Sequence, residues 1–200
     1  MREFIVYALK ARTTPDFQIE DLPGAGRMDI VCEVILNALF ISNAMRRDTL
    51  VHVAMTGPRD PPKLVTFSGA ALKGLNPDAC SIAKMIQKAL DSGRALKLNE
   101  EKEISPGVTI AKKAFEPLVK EKAQASQLIY LDPDGKDIRN VSFEKNVTFV
   151  LGDYIGLPRN TEKLLNRVGA QKIKLGPQVL FAAQCPILVH NQIDRQDAGW

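Results

Sequence analysis

The chain has 200 residues, of which 45% are hydrophobic, so it can form one packed domain and is not expected to be disordered. Its net charge of +4 permits a polyanionic partner such as RNA without requiring one. The three cysteines are widely spaced and there are only two histidines, so we expect no metal centre, and free thiols fit the reducing cytoplasm. No apolar run reaches the ~18 residues that a membrane helix requires.

Short apolar runs predict the strands of a sheet. In chain order the predicted strands are Glu3–Leu9, Thr49–Met55, Leu64–Phe67, Gln127–Leu131, Val147–Leu151 and Gln171–Leu175. The central runs are continuously apolar rather than alternating, a pattern typical of strands that are covered on both faces.

Apolar residues at helical spacing predict helices between and after these strands. The predicted helices are Arg27–Ala44, Asp78–Leu90, Thr161–Val168 and Gln178–Gln192. Asp78 stands at the start of the second helix, and Asn160 can cap the third. We expect Gly169 to end the third helix and Pro186 to kink or break the last one.

Residues 96–122 are less regular and rich in charge, so they predict a loop-rich excursion with one short helix, Phe115–Ala123. No linker divides the chain, which predicts a single domain over residues 1–200. Because strands alternate with helices, the fold class is α/β with a mostly parallel sheet.

Three loops that follow predicted strands contain glycine and are candidates for a ligand site. They are Leu131–Gly135, Leu151–Pro158 and Leu175–Pro177. In open α/β sheets, ligands bind at the carboxyl ends of the strands, where glycine lets a flat ligand approach the backbone. These loops therefore predict a site for a nucleoside-bearing cofactor. The alternative is that they are ordinary strand–helix turns, since short glycine motifs match by chance. Neither a dinucleotide fingerprint nor a P-loop is present.

Three segments of the C-terminal half resemble the cofactor half of the SPOUT methyltransferases. They are FVLGDYIGLP (149–158), KIKLGP (172–177) and CPILVHNQIDR (185–195). In the N-terminal half, GRMDIVC (26–32) and MTGPRDPPK (55–63) agree with them. Together these segments are similar to the archaeal tRNA pseudouridine N1-methyltransferase family (TrmY), which is akin to the Nep-type ribosomal pseudouridine methyltransferases. The resemblance spans nearly the whole chain.

The resemblance implies a deep trefoil knot in the C-terminal part, over roughly residues 127–200, and a homodimer. It also implies S-adenosylmethionine as cofactor and N1-methylation of pseudouridine 54 in the T-arm of tRNA, without a metal or a membrane. One alternative is the same chemistry on a pseudouridine of small-subunit rRNA. A second is a non-catalytic RNA-binding assembly dimer of the same fold. A thiol hydrolase using Cys185 and His190 is disfavoured, because no oxyanion motif accompanies them.

Matching positions imply the roles of individual residues. The cofactor-binding residues would be Leu131, Gly152, Leu175, Gly176, Val179, Leu180 and Cys185. Cys185 is grouped with the catalytic residues, but as a side chain that lines the pocket beside the sulfonium. The acceptor is a ring nitrogen, which needs no covalent activation. The alternative for the leucines and Cys185 is a place in the core.

Asp60 is the second catalytic candidate, because a carboxylate held in a proline-stiffened loop could orient or deprotonate the pseudouridine N1–H. The alternative is a surface ion pair with Arg59 or Lys63. The RNA-binding candidates are Arg27, Asp29, Arg59 and Lys63. Arg46 and Arg47 are further candidates for phosphate contacts, although cations are also favourable at the end of a helix.

Overall fold

The computed structural model describes all 200 residues as an eight-stranded mixed sheet with helices on both faces. The strands are β1 (Arg2–Ala8), β2 (Phe40–Ile41), β3 (Ala44–Met45), β4 (Thr49–Met55), β5 (Lys63–Ser68), β6 (Glu101–Ser105), β7 (Val108–Ala111), β8 (Gln127–Asp137), β9 (Val147–Gly152) and β10 (Gln171–Lys174). The helices are α1 (Met28–Leu39), α2 (Ala79–Ser92), α3 (Phe115–Ala125), α4 (Arg159–Arg167) and α5 (Cys185–Asp197). No helix is both long and apolar enough to cross a membrane.

The order of strands in the main sheet is β10-β8-β9-β1-β4-β5-β7-β6. From β10 to β4 every neighbouring pair is parallel, whereas β5, β7 and β6 extend the sheet in antiparallel fashion. The predicted α/β class with a mostly parallel sheet is therefore confirmed. The carboxyl ends of the parallel strands meet at one edge of the sheet, which we call the carboxyl edge.

Two apolar layers hold the helices on the sheet. The larger one packs α1, α2 and α5 against side chains such as Phe4 and Val53. The smaller one packs α3 and α4 against the opposite face, where Ile5 and Val150 point. Phe4, Ile5 and Val6 are all fully buried, so the continuous apolar run of β1 indeed marks a strand covered on both sides.

Several predicted elements have different bounds in the structure. The first helix ends at Leu39 instead of Ala44, because a short hairpin of β2 and β3 turns at Asn43, whose φ is +59°. The excursion contains two antiparallel strands, β6 and β7, which the sequence analysis missed. β6 is an exposed edge strand with the charged sequence Glu101–Glu103, so no apolar run announces it.

The caps were predicted with mixed success. The side chain of Asp78 accepts a hydrogen bond of 2.7 Å from the backbone N–H of Ser81 and caps α2 as expected. The cap predicted for Asn160 is wrong, because α4 begins at Arg159, two residues before the predicted Thr161, and has no side-chain cap. The last helix begins at Cys185, so Pro186 lies in its first turn, where proline costs no hydrogen bond.

A cluster of charged residues fastens α5 to the opposite, amino-terminal edge of the sheet. The buried Arg2 guanidinium contacts Asp194 at 2.5 Å, Asp197 at 2.9 Å and Asp48 at 3.3 Å. Arg46 adds a contact of 2.6 Å to Asp194. Arg46 therefore serves the fold rather than facing RNA as proposed from its charge.

Arg47 is also used within the chain, since it donates to the carbonyl oxygens of Gly69 and Leu72 at 2.8 and 3.1 Å.

His190 is buried next to Arg2. Its Nε2–H donates to the carbonyl of Ala38 at 2.9 Å, and its Nδ1 accepts from Arg2 at 3.3 Å. This neutral tautomer satisfies both ring nitrogens in a buried place, so no thiol hydrolase dyad with Cys185 is formed.

Acid should weaken the fold through His190. Burial, helped by the nearby positive charge of Arg46, lowers the pKa of His190 from 6.5 to about 4. The unfolded chain protonates this histidine below pH 6.5 while the folded chain resists, so stability falls as the pH drops from 6.5 towards 4. The loss should approach about 3 kcal/mol. About 2 kcal/mol of this loss falls between pH 7.5 and pH 5, where urea unfolding at the two pH values measures it.

His190→Gln keeps a donor for Ala38 and cannot titrate, so it serves as the control. We expect its free energy of unfolding to change less between these two pH values than that of the wild type. Asp194 does not confuse the comparison, because its pKa is lowered and its contribution is lost only below about pH 3.8. An equal pH dependence in both proteins would contradict the assignment.

Candidate cofactor and substrate site

The predicted cofactor residues lie around the carboxyl edge: Leu131 in β8, Gly152 at the end of β9, four residues in the loop after β10, and Cys185 at the start of α5. Tyr130 of β8 pairs with Lys172, but the next paired residue, Ile173, is opposite Lys136. Residues 131–135 therefore form a bulge within β8. The sequence had predicted that the strand ends at Leu131 and that a turn follows. Asp132 in this bulge contacts Lys172 at 3.2 Å, which ties the bulge to β10.

The loop after β9 folds tightly back on the strand. A Cβ atom at Gly152 would lie 2.3 Å from the backbone of Gly156, so only glycine fits there. The buried Asp153 accepts hydrogen bonds from the N–H of Leu9 at 2.9 Å and of Ile155 at 2.8 Å. Burial raises the pKa of Asp153, and the backbone N–H groups oppose that rise. Asp153 thus joins the loops that follow β1 and β9.

The loop after β10 presents free backbone groups beside apolar side chains. The backbone of residues 175–180 takes part in no hydrogen bond within the chain. A Cβ atom at Gly176 would meet nothing within 4 Å, so there is open space against this residue. Leu131, Leu175 and Leu180 are half-buried and pack on the main core, whereas Val179 is 79% exposed.

Cys185 begins α5 after a short 3-10 helix, Ala182–Gln184, that follows this loop. It is buried, and its thiol donates to the carbonyl of Phe181 at 3.5 Å. Burial raises the pKa of Cys185 to about 11. The side chain is therefore a thiol at neutral pH rather than a nucleophilic thiolate. Phe181 itself is 80% exposed and was not singled out in the sequence.

Arg27 and Asp29 form one unit near the β9 loop. Arg27 adopts a left-handed backbone with φ of +63°, and its guanidinium forks onto Asp29 at 2.9 to 3.2 Å. The same guanidinium lies 5.2 Å from the centre of the Tyr154 ring. Tyr154 was not predicted from the sequence, although its place between Asp153 and Gly156 in a candidate loop is a signal that could have pointed to it.

Asp60 is held by two lysines in the loop between β4 and β5. Its carboxylate contacts Lys63 at 2.8 Å and Lys112 at 2.6 Å. The hydrogen bond from Lys112 lowers the pKa of Asp60 most, and the one from Lys63 lowers it further. Its backbone N–H donates to the Thr13 hydroxyl at 2.9 Å. Of the two ion pairs considered from the sequence, the one with Lys63 forms and the one with Arg59 does not.

Lys63 does not lie where an RNA-binding residue would be expected. Its side chain is only 1% exposed, and its ammonium donates to the carbonyl of Gly93 at 2.7 Å as well as to Asp60. A phosphate could not reach it, so its role is to anchor Asp60. Arg59 is exposed and contacts Asp16 at 2.5 Å. Lys112 was missed because it lies 52 residues from Asp60 in the chain.

The family of this chain follows from its similarity to known proteins. A family described as SAM-dependent RNA methyltransferases matches residues 1–198. The chain belongs to this family. The methyltransferase therefore uses S-adenosylmethionine as its cofactor, as expected.

Curated relatives match over the full length of the chain. The tRNA (pseudouridine(54)-N(1))-methyltransferase of Methanococcoides burtonii is 42% identical, over 100% of this chain and 98% of its own. Those of Methanococcus aeolicus and Pyrococcus abyssi are each 40% identical, over 98% of both chains. The crystal structure of Archaeoglobus fulgidus Nep1 bound to S-adenosylhomocysteine has a TM-score of 0.62 at 14% identity, covering 99% of this chain and 100% of its own. That likeness supports the fold.

The residues at the carboxyl edge fit S-adenosylmethionine. Its adenine needs hydrogen-bond partners along its edge and apolar contacts on its faces. The unpaired backbone of residues 175–180 offers the first, and Leu131, Leu175 and Leu180 offer the second. The space in front of Gly176 allows close approach. The chain has no group of side chains that could hold a metal ion.

Gly176→Ala should separate cofactor binding from folding. The added methyl meets no atom of the chain, so the melting temperature should stay within about 2 °C of the wild type. If the cofactor lies against Gly176, the methyl should weaken its binding by roughly tenfold, about 1.4 kcal/mol. Isothermal titration with S-adenosylhomocysteine and thermal unfolding measure the two effects. Wild-type affinity in the folded variant would place the cofactor elsewhere.

Cys185→Ala tests whether the thiol acts as a nucleophile. Because its raised pKa keeps it protonated, we expect the variant to retain methyl transfer within about tenfold of the wild type. The measurement is the initial rate with labelled S-adenosylmethionine at saturating RNA. A folded variant that binds the cofactor but transfers no methyl group would contradict this interpretation.

Proposed function

We propose that this methyltransferase transfers a methyl group from S-adenosylmethionine to N1 of pseudouridine 54 in the T-arm of tRNA. The observation that carries the proposal is the match of 40–42% identity, along the whole chain, to relatives named for this reaction. The competing substrate is a pseudouridine in small-subunit rRNA, which the resemblance of the sequence to the Nep-type ribosomal methyltransferases suggests.

The cofactor supplies an electrophilic methyl group on a sulfonium. The chain's contribution is to hold that group and the acceptor nitrogen in line. We assign Leu131, Gly152, Leu175, Gly176, Val179, Leu180 and Cys185 to cofactor contact. Cys185 lines the pocket as a thiol and forms no covalent bond to the base.

Asp60 is the residue that we assign to the acceptor nitrogen. Its two lysine partners lower its pKa, so it is a carboxylate at physiological pH. Such a group accepts a hydrogen bond from N1–H and orients the ring, while it is a weak base before the methyl group moves. As the nitrogen–carbon bond forms, N1–H becomes strongly acidic, and its proton can pass to Asp60 and then to water.

We assign RNA contacts to Arg27 and Arg59, with Asp29 fixing the direction of the Arg27 guanidinium. Both arginines retain exposure and can fork onto phosphate or stack on a base. Lys63 is left out of this group because its ammonium is enclosed.

We further propose that the C-terminal part, residues 127–200, forms the knot of its SPOUT relatives and that two copies associate. Exposed apolar side chains next to the cofactor loop support a homodimer, since large apolar patches are costly in water. They are Val179, Phe181, Ile187 and Leu188. A cytoplasmic location follows from the proposed tRNA substrate and agrees with the three free cysteines.

The experiment is methyl transfer from labelled S-adenosylmethionine to two T-arm RNAs that differ at position 54. We expect label in the RNA with pseudouridine and none in the RNA with uridine, because uridine carries C5–H where pseudouridine offers N1–H. Label in neither RNA, from protein shown to bind the cofactor, would reject the tRNA substrate. A pseudouridine-containing fragment of small-subunit rRNA then tests the competing substrate. Transfer to neither fragment would favour a non-catalytic RNA-binding protein.

A further inference from the structure

Asp60 and Lys112 form a small recognition surface, in which the carboxylate accepts hydrogen bonds and the ammonium beside it donates them. The two lysine contacts occupy one direction at each carboxylate oxygen, and a carboxylate can accept about four hydrogen bonds. The Asp60 side chain is 32% exposed, so its remaining acceptor sites face outward. The Lys112 ammonium has three N–H groups and contacts only Asp60, which leaves two for another partner.

This surface is rigid, because other residues of the chain hold both Asp60 and the backbone of Lys112 in place. Lys63, enclosed at the start of β5, holds one carboxylate oxygen, and the Thr13 hydroxyl holds the backbone of Asp60. Lys112 follows β7 directly, and its backbone exchanges hydrogen bonds with Asn99 and Glu100 at 2.8 and 3.0 Å. Preorganised donors and acceptors lose little freedom when they bind, which is how a site gains specificity from few contacts.

The surface also lies at the correct edge of the sheet. The loop with Asp60 follows β4, which is separated from β9 by β1 alone. Neighbouring strands are about 4.8 Å apart, so the ends of β4 and β9 lie about 10 Å apart, which leaves room for a nucleobase beside the cofactor loops. Both loops are tied to the segment after β1, through Thr13 and Leu9.

We propose that Asp60 and Lys112 together read the N1–H and C2 carbonyl of pseudouridine, with Lys63 as the positioning residue of Asp60. This inference rests on the proposed function and extends it to a residue without an assigned role. The ring presents a donor, N1–H, beside an acceptor, the C2 oxygen, which complements carboxylate and ammonium. Uridine presents C5–H beside its C4 oxygen, so Asp60 would face a carbon and lose its partner.

Lys112 has a second effect on the reaction. In the transfer, the bond between N1 and the methyl carbon forms, and the bond between that carbon and sulfur breaks, with its electron pair remaining on sulfur. The N1–H proton leaves to Asp60 and then to solvent. Negative charge shifts onto the C2 oxygen as N1–H weakens, and the Lys112 ammonium stabilises it there. Removing this charge should make N1–H less acidic in the complex.

The chain contains a matched control for this test. Lys113 is the next residue, its side chain is 25% exposed against 24% for Lys112, and it pairs with Glu121 rather than Asp60. Lys112→Met and Lys113→Met therefore remove equal charge from neighbouring positions. Thermal unfolding of both variants checks that each is folded.

Two measurements use full-length protein and pseudouridine T-arm RNA. For Lys112→Met we expect kcat/KM to fall by roughly 30-fold. We also expect the pH at which its methyl-transfer rate rises to be higher than in the wild type. Lys113→Met should stay within about threefold of the wild-type kcat/KM. Lys112→Arg should restore part of the rate, since it restores the charge. In competition binding, the wild type should prefer the pseudouridine RNA over the uridine RNA by roughly tenfold, and Asp60→Ala should lose that preference.

The inference is overturned if Lys112→Met behaves like Lys113→Met. It is also overturned if Lys112→Met loses rate with an unchanged pH profile, which indicates a structural role, or if Asp60→Ala keeps the preference for pseudouridine. Failure of the proposed function is a separate result, because the wild type itself would then transfer no methyl group to pseudouridine T-arm RNA.

Discussion

The backbone of β1 pairs in parallel with β9 on one side and with β4 on the other. This pairing brings the ends of strands from both halves of the sequence to the carboxyl edge. Asp153, after β9, then reaches the N–H of Leu9 after β1, and Thr13 reaches the loop with Asp60. The cofactor loops and the acceptor loop can therefore serve one reaction, although Asp60 and Asp153 are 93 positions apart in the chain (153 − 60).

Positive charge in this protein is divided between fastening the fold and facing solvent. Four cationic side chains donate hydrogen bonds to carboxylates or backbone carbonyls within the chain: Arg2, Arg46, Arg47 and Lys63. Arg59 and the Arg27 unit keep exposed guanidinium groups at the carboxyl edge. A mildly basic net charge thus says little about which residues meet a polyanion, because burial decides it.

The strands could be predicted because parallel pairing buries both faces and leaves a continuous apolar run, as in Phe4–Val6. β6 could not, because a solvent-exposed edge strand carries no apolar signal. The start of α5 was misplaced because residues 178–184 contain apolar side chains at helical spacing, yet Val179 and Phe181 are exposed there. Periodicity cannot distinguish a helix from a loop that shows its apolar groups to a ligand or a partner.

The candidate site divides in the same way. Its glycine loops and Asp60 were visible as local patterns, and family resemblance gave them roles. The partners of Asp60 were not visible, because Lys112 reaches it only through the pairing of β5 with β7. The contact of Tyr154 with Arg27 was not visible either, because the fold brings the guanidinium over a ring that lies far along the chain.

The most direct measurement is a crystal structure of the protein with S-adenosylhomocysteine and a T-arm RNA that contains pseudouridine 54. The account predicts that the adenine edge meets the backbone of residues 175–180. It also predicts that pseudouridine N1 lies within hydrogen-bond distance of the Asp60 carboxylate, with the C2 oxygen beside the Lys112 ammonium. A cofactor bound away from that loop, or a base that contacts neither Asp60 nor Lys112, would contradict it.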